Sequence, residues 1–563
     1  MIYLKAKIKN RGLSMPRTKT NDEPRKESSL NNKEKQKDKI TRHGIFSCFS
    51  DMSKLEFILF SIILVAGCLF RVLFLDKFPA GLNQDEAFGG YEAISLMRTG
   101  ADSYGFHLPV YLTTWGSGMS VLPSYMMIPW IAIFGNNIWC IRMPQAILGS
   151  IAIAACFFLV KRITSSNRAA LISMFVLAIN PWHFMMSRWG MDCNMAPHFM
   201  LFALLFFCIG IEKPKFLILS AINYGLCLYC YALFWPFAAA TLLLQIIYLF
   251  VMKKFKFNRY YLISGILLFV MALPLLLFLL VNNGTIEQVS TPFFTVPKLI
   301  GYRGSQFSFE GMSKKLMNII NIITSQNDGL IWNATPKYGV FYKFGLPFVV
   351  LGIAYLIKEF IKKCRIKEFS YEIFILIQIA VSILIASMTD TNINRANYFF
   401  IPLTICMGFG IYFISTMLKK EVVNNVLIIG LGIMLCYFCA FADYYFTDYE
   451  KDIGYYFSYG VDGAIKFADK LDKEVYVTNS ITYSKVMYLT AIDPKLYRDT
   501  VQYKNYPNMY LDIYGFGKYH FVDHGYEINP DCVYVVNNGE AYQFEGYGFT
   551  TKEFGNYAVC YMQ

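Results

Sequence analysis

Apolar residues in this chain come in runs about as long as a bilayer is thick, separated by polar patches whose charge is biased. A helix needs about 20 mostly apolar residues to cross a membrane. Runs near that length occupy residues 55–75, 138–160, 169–186, 195–211, 216–232, 234–252, 260–281, 341–357, 371–388, 398–418 and 423–442, which predicts about eleven spans. The run at 121–134 is apolar as well, but it is short and broken by Pro123 and Pro129, so it reads as an interfacial or partly inserted helix. Counting it as a span would put Lys161, Arg162 and Arg168 outside and invert every later loop. Left out, it allows the basic patches at 161–168, 213–215, 253–256, 358–367 and 419–420 to share the cytoplasmic face. The N-terminus is then inside and the C-terminus outside.

Composition agrees with this pattern. Hydrophobic residues make up 55% and charged residues 16% of 563, where a soluble domain carries about 25% charged. Residues 1–54 hold 14 basic and 6 acidic side chains and few apolar ones, and read as a disordered cytoplasmic tail. The positive-inside rule accounts for those charges, so no nucleic-acid partner is called for. Residues 55–442 form the membrane domain, with long outside loops at 76–137 and 282–340 that carry Gly, Pro, aromatics and acids. Residues 443–563 turn polar and Tyr-rich. Strands are predicted there at 475–478, 519–522, 533–536 and 557–561 and helices at 460–471 and 480–489, giving a small extracytoplasmic α/β domain. The expected fold class is thus an α-helical polytopic membrane protein with that domain appended. Most of the 14 cysteines sit in apolar runs without metal-ligand partners; a disulfide is plausible only for Cys532 and Cys560.

Charge parity collects the polar residues of interest on the outer face. Asn83-Gln84-Asp85-Glu86 lies in the first outside loop, His183 to Asp192 follow the third span, Asp328 lies in the second loop, and Asp390, Asn394 and Arg395 lie between spans nine and ten. Asp85 and Glu86, if helical, point about 100° apart and cannot both face one atom. One can act as a base or metal ligand while the other caps or pairs; an acidic pair opening a helix is also favoured by the macrodipole alone. Arg188 and Asp192 are four apart and would share a helix face, as an ordinary ion pair or as part of a site. His183 and Arg395 suit an anion, although a lone Arg near headgroups also snorkels. No Gly-x-x-x-x-Gly-Lys-Ser/Thr loop or Gly-rich dinucleotide fingerprint is present, which argues against an ATP-driven pump. Any activated substrate on the outer face would arrive attached to a lipid.

The order of these parts resembles the polytopic GT-C glycosyltransferases, and within them the branch of lipid A aminoarabinose transferases and protein O-mannosyltransferases. The resemblance rests on the acidic pair in the first loop, the proline-broken helix ending near Phe134-Gly135, then Trp139 and Arg142-Met143-Pro144. It continues through Asn180-Pro181-Trp182-His183, Ser187-Arg188, Asp192, Asp328-Gly329-Leu330 with Asn333, and Asn394-Arg395 before Pro402, covering about residues 55–442. Two departures stand out: Asp192 replaces a frequent Glu, and Trp332 follows Asp328-Gly329 where a basic residue or His is common.

The resemblance implies transfer of a sugar from a polyprenyl-phosphate carrier to a lipid, protein or cell-wall glycan acceptor at the outer membrane face. Asp85 would be the general base and Glu86 its orienter or a substrate contact. Arg188 and Arg395 would hold the leaving phosphate, with His183, Asp192, Asp328, Asn333 and Asn394 as further substrate contacts. Asp85 and Asp192 offer two hard oxygen donors to a divalent cation, Mg²⁺ or Mn²⁺, short of a complete shell. Heavy use of Lys, Asn, Ile and Tyr suggests an AT-rich bacterial genome and hence undecaprenyl phosphate. The rival readings are a transporter or flippase for a lipid-linked glycan and a catalytically silent relative that binds cell-envelope polymer.

Overall fold

The computed structural model describes residues 51–302, 307–523 and 527–563. The basic tail therefore lies almost wholly outside the described residues. Each of the eleven apolar runs carries a helix. These are α1 (Lys54–Val72), α4 (Ile138–Thr164), α5 (Asn167–Ala178) with α6 (Pro181–Met186), α7 (Ala196–Gly210), α8 (Phe216–Leu228), α9 (Phe234–Val251), α10 (Arg259–Asn282), α12 (Leu346–Arg365), α13 (Ile373–Met388), α14 (Phe400–Met417) and α15 (Lys420–Phe446). The proline-broken run is α3 (Leu122–Phe134), of 13 residues, with Pro129 inside it. The acidic pair opens α2 (Gln84–Thr99), and α11 (Met312–Ser325) lies in the second loop. Among the described residues, seven helices are long and apolar enough to cross a membrane, and the protein is multi-pass. Helices α4, α7 and α14 are buried at the centre, whereas α1, α10 and α15 expose Leu, Ile, Val and Phe along their outer faces, as lipid-facing helices do.

One predicted span breaks in two. The run at 169–186 ends α5 at Ala178; Asn180 then caps α6, its Oδ1 accepting from His183 N at 2.8 Å, with Pro181 at the first helical position. Proline has no N–H to continue the preceding ladder, so the chain restarts instead of extending. Closest packing occurs between α12 and α14. A methyl group on Gly352 would lie 1.8 Å from the Cys406 carbonyl oxygen, and one on Gly410 2.0 Å from that of Phe348. Gly352→Ala is therefore expected to destabilise the protein by about 1–3 kcal/mol, measured as a lowered unfolding midpoint in detergent.

After α15 come α16 (Asp448–Tyr456), α17 (Val461–Asp469), β3 (Val475–Thr478), α18 (Tyr483–Thr490), α19 (Pro494–Thr500) and strands β4 (Gln502–Tyr503), β5 (Ile513–Phe516), β6 (Tyr519–Val522), β7 (Val533–Asn537), β8 (Thr550–Phe554) and β9 (Tyr557–Tyr561). A two-residue hairpin, β1 (Val289–Ser290) and β2 (Thr295–Val296), precedes them in the second loop. The seven strands form one sheet in the order β4-β5-β6-β3-β7-β9-β8, with β3 parallel to both β6 and β7 and the remaining pairs antiparallel. The four predicted strands and both helices are present; β4, β5 and β8 are additional. Cys532 and Cys560 are both buried and unlinked, so the disulfide considered for them is absent. Only Cys560 lies in a strand of that pair, opposite Tyr534, and Cys532 falls outside β7.

The sheet shares an apolar core with the first loop. Val475, Val477, Val533 and Val535 pack in one cluster with Ala87, Tyr91 and Ile94 of α2, through Ile465 of α17 and Val486 of α18. Placement of α2, and so of its acids, depends on the C-terminal sheet as well as on the membrane helices.

Candidate active site

The acidic turn is built on the last turn of α1 and the strap that leaves it, residues 70–81, whose carbonyls lack helical partners. Two buried arginines, Arg188 and Arg142, supply donors to them, and a third, Arg71, ties the end of α1 to that of α5. Arg71 donates to the Gly67, Leu177 and Ala178 carbonyls and, at 2.7 Å, to Nδ1 of His183. Arg188 donates to the Phe70, Leu73, Phe74 and Phe78 carbonyls at 2.6–3.4 Å while lying over the Phe184, Tyr445 and Phe446 rings. Arg142 takes the Leu75, Pro79 and Gly81 carbonyls at 2.8–2.9 Å. Guanidiniums from α4 and the stretch after α6 thus fix the strap that leads into α2, while that of Arg71 joins the end of α1 to α5 and His183.

At its start Asn83 is the N-cap: its Oδ1 accepts from Asp85 N at 2.8 Å, and Glu86 Oε1 accepts from Asn83 N at 3.1 Å, closing a capping box. Glu86 is fully buried. Its Oε1 takes Arg142 Nη2 at 2.7 Å, and its Oε2 takes Arg142 Nε at 3.1 Å and Gly190 N at 2.8 Å. The two adjacent acids diverge as helical geometry requires, because Asp85 stays half-buried and its Oδ1 accepts the Trp115 indole N–H at 3.1 Å. Trp115 is itself wedged between Phe88 and Tyr483, with ring centroids at 4.6 and 5.7 Å.

Arg188 and Asp192 do not share a helix face. Helix α6 ends at Met186, the chain leaves helical geometry, and Asp192 opens a separate 3₁₀ turn, Asp192–Asn194, where its Oδ1 accepts from Cys193 N at 2.7 Å. That turn is tied to the segment before α14: Asn397 Nδ2 donates to the Cys193 carbonyl and Asn194 Oδ1, and Asn394 Nδ2 to Met191 Sδ, each at 3.2 Å. Asp328 fixes the same segment from the second loop, accepting from Ile393 N at 2.8 Å and Asn333 Nδ2 at 2.6 Å. Arg395, half-buried, donates to the Asp390 carbonyl at 3.1 Å. The charges of Asp85 and Asp192 both act on the buried Cys193 thiol, and those of Asp192 and Arg395 on Tyr231. His183, Arg188, Asp328, Asn333 and Asn394 meet protein groups in this arrangement.

Asp85 and Asp192 carry hard carboxylate oxygens of the kind a divalent cation such as Mg²⁺ prefers. Among the described residues no group of three or more His, Cys, Asp or Glu side chains converges as a metal site.

Two features carry no local sequence signal. Lys485, on α18, is buried, and its Nζ donates to Ser458 Oγ at 2.6 Å. Burial pushes its ammonium down to about 8, while Glu86 and Asp85 pull the other way. Glu92, two turns along α2 from Asp85, is buried beside Asp102 and accepts from Ser103 N at 2.8 Å. Burial raises both carboxyls above their usual range, with the Asp102 charge adding to the effect on Glu92. A carboxyl whose folded value is raised contributes its stability below the ordinary range of about 4 and loses it as pH climbs through the raised value. The unfolding midpoint should therefore fall as pH rises into the neutral range. Glu92→Gln should flatten that slope in a pH series of thermal melts.

Residues 120–285 match the family described as dolichyl-phosphate-mannose-protein mannosyltransferase. No curated protein is similar to the chain in sequence. Among solved structures, ArnT from Cupriavidus metallidurans bound to undecaprenyl phosphate superposes with a TM-score of 0.51 at 12% identity, covering 90% of this chain and 98% of that one. Its apo form gives 0.51 at 10% identity, over 89% and 97%. The archaeal oligosaccharyltransferase AglB from Archaeoglobus fulgidus, in complex with an inhibitory peptide and a dolichol-phosphate, gives 0.44 at 13% identity, over 78% and 64%. The likeness to ArnT extends over nearly the whole of both chains.

Proposed function

We propose that this chain, which has the fold of the GT-C superfamily of membrane glycosyltransferases, moves a sugar from a polyprenyl-phosphate donor to an acceptor at the outer face of the membrane. The observation that carries the reading is the divergence of the two acids: Glu86 is locked to Arg142 and Gly190, while Asp85 is half-buried and accepts the Trp115 indole N–H. Asp85 takes the proton of the acceptor hydroxyl as that oxygen bonds to C1 of the sugar. The bond from C1 to the phosphate oxygen breaks, and the electron pair leaves with the lipid phosphate.

Arg395 is the cation for that phosphate, and the Trp115 N–H holds the Asp85 carboxylate in orientation. Arg188, His183, Asp328, Asn333 and Asn394 act one step back, by fixing the strap and the two turns that carry the site. Asp85 and Asp192 would hold a divalent cation, which supplies charge to the departing phosphate. The distribution of basic loops supports an N-terminus in the cytoplasm and a C-terminal sheet outside. Purified protein given a panel of polyprenyl-phosphate sugars should release free lipid phosphate from one of them. A lipid-linked glycan transporter would move donor across vesicles and leave it intact.

A further inference from the structure

The C-terminal sheet opens a crevice at the carboxyl ends of its parallel strands. Strands β6, β3 and β7 lie side by side and run the same way. The segments that follow β3 and β7 go to opposite faces. Successive strand residues point to alternate sides of a sheet, and α18, which follows β3, shares through Val486 the apolar cluster of Val475, Val477, Val533 and Val535. The 3₁₀ helix that follows β7, Asn538–Phe544, adds Phe544 to the cluster of Tyr534, Val536 and Ala558 on the other side. Neighbouring parallel strands whose connections diverge in this way leave a gap between them, and in open α/β sheets that gap is where ligands bind.

Here the gap is a recess of about 190 Å³ with polar walls. Asn479 and Ser480 follow β3, Asp523 follows β6, Asn537 ends β7, and Glu540 and Gln543 lie on the 3₁₀ helix. Such a helix has three residues per turn, so Asn537, Glu540 and Gln543 come one turn apart and share a face. The walls are set in place by one another: Ser480 Oγ donates to Asn537 Oδ1 at 2.9 Å, Asn537 Nδ2 to Glu540 Oε1 at 3.0 Å, and Asn479 Nδ2 to Asp523 Oδ1. Asn479 N is anchored on the Val522 carbonyl at 3.1 Å.

This chemistry selects a ligand class. Carboxylates accept hydrogen bonds, whereas amides and hydroxyls both donate and accept, which is the complement of the adjacent hydroxyls of a sugar ring. Among the described residues none that lines the recess is Lys, Arg or His, and its two carboxylates repel a phosphate or a uronate. Among the described residues no third acid joins them to cage a bare divalent cation. The volume is below the roughly 300–1,000 Å³ of sites for drug-sized molecules, and suits one sugar unit.

We infer that this recess binds one neutral saccharide unit of the acceptor. Its assignment to the acceptor rests on the glycosyl-transfer reading, in which the donor sugar is tied to its phosphate and must present C1 at Asp85. Helix α18 joins the two places: Ser484, four residues after Ser480, donates through Oγ to the carbonyl of Gln84, the neighbour of Asp85, at 3.1 Å.

The test is saturation-transfer NMR on the full chain in lipid nanodiscs without donor. The probes are the methyl glycosides of glucose, galactose and mannose and N-acetylglucosamine, with glucuronate and calcium chloride as controls. At least one neutral probe should bind. Gln543→Ala and Asp523→Ala should each weaken it about 3- to 10-fold with an unchanged unfolding midpoint, and Ser480→Trp, which fills the recess, should abolish it. If Ser480→Trp does not fold, the other two variants decide. No neutral probe bound by folded native protein, equal affinity in native protein and both alanine variants, or binding of glucuronate or calcium alone overturns the inference. With donor present, Gln543→Ala should raise KM for a glycan acceptor by the factor seen in binding, with a smaller effect on kcat. An unchanged acceptor KM beside weakened probe binding overturns the assignment to the acceptor. Probe binding by native protein that turns over no donor overturns the transferase reading and leaves the saccharide site standing.

Discussion

Asp85→Asn is expected to reduce donor turnover by about 10³-fold while leaving the unfolding midpoint and donor binding close to native. Asparagine keeps the shape of the side chain and an Oδ1 that accepts the Trp115 N–H, so the helix start and the packing of Trp115 between Phe88 and Tyr483 are preserved. What disappears is the capacity to take a proton. A merely structural Asp85 would show the reverse pattern, with a lowered midpoint and turnover in proportion to folded protein.

The largest stability effect is expected one residue on. Glu86→Ala leaves the Arg142 guanidinium buried without its carboxylate and removes the acceptor for Gly190 N and Asn83 N. Stranding one member of a buried ion pair costs about 3–5 kcal/mol, so little folded protein should be recovered after mild heating. Glu86→Gln with Arg142→Met should regain part of that loss, because neither partner is then left charged and alone. Denaturation in detergent measures both. Equal midpoints for native and Glu86→Ala would mean that the pair does not hold the strap.

Much of this architecture is legible in the residues because bilayer thickness and charge parity are strong constraints. Each apolar run carries a helix, and the short proline-broken run is a 13-residue helix. The divergent orientations of Asp85 and Glu86 follow from helical geometry. Arg188 is a harder case: its partners are backbone carbonyls more than 100 residues earlier, and carbonyls leave no mark in a sequence. The expected Arg188–Asp192 pairing assumed a helix that the chain abandons after Met186. Lys485 and the Glu92–Asp102 pair are legible only once tertiary packing is known, since each gains its character from burial beside distant charge. Strands β4, β5 and β8 lack a continuous apolar alternation, and sheet pairing creates them.

Release of free polyprenyl phosphate by reconstituted full-length protein, in parallel with Asp85→Asn, tests the central claim most directly. The account predicts release matched mole for mole by glycosylated acceptor in the native protein, and donor bound but unconsumed in the variant. Equal release by both proteins, or none from any donor by folded native protein, would contradict it.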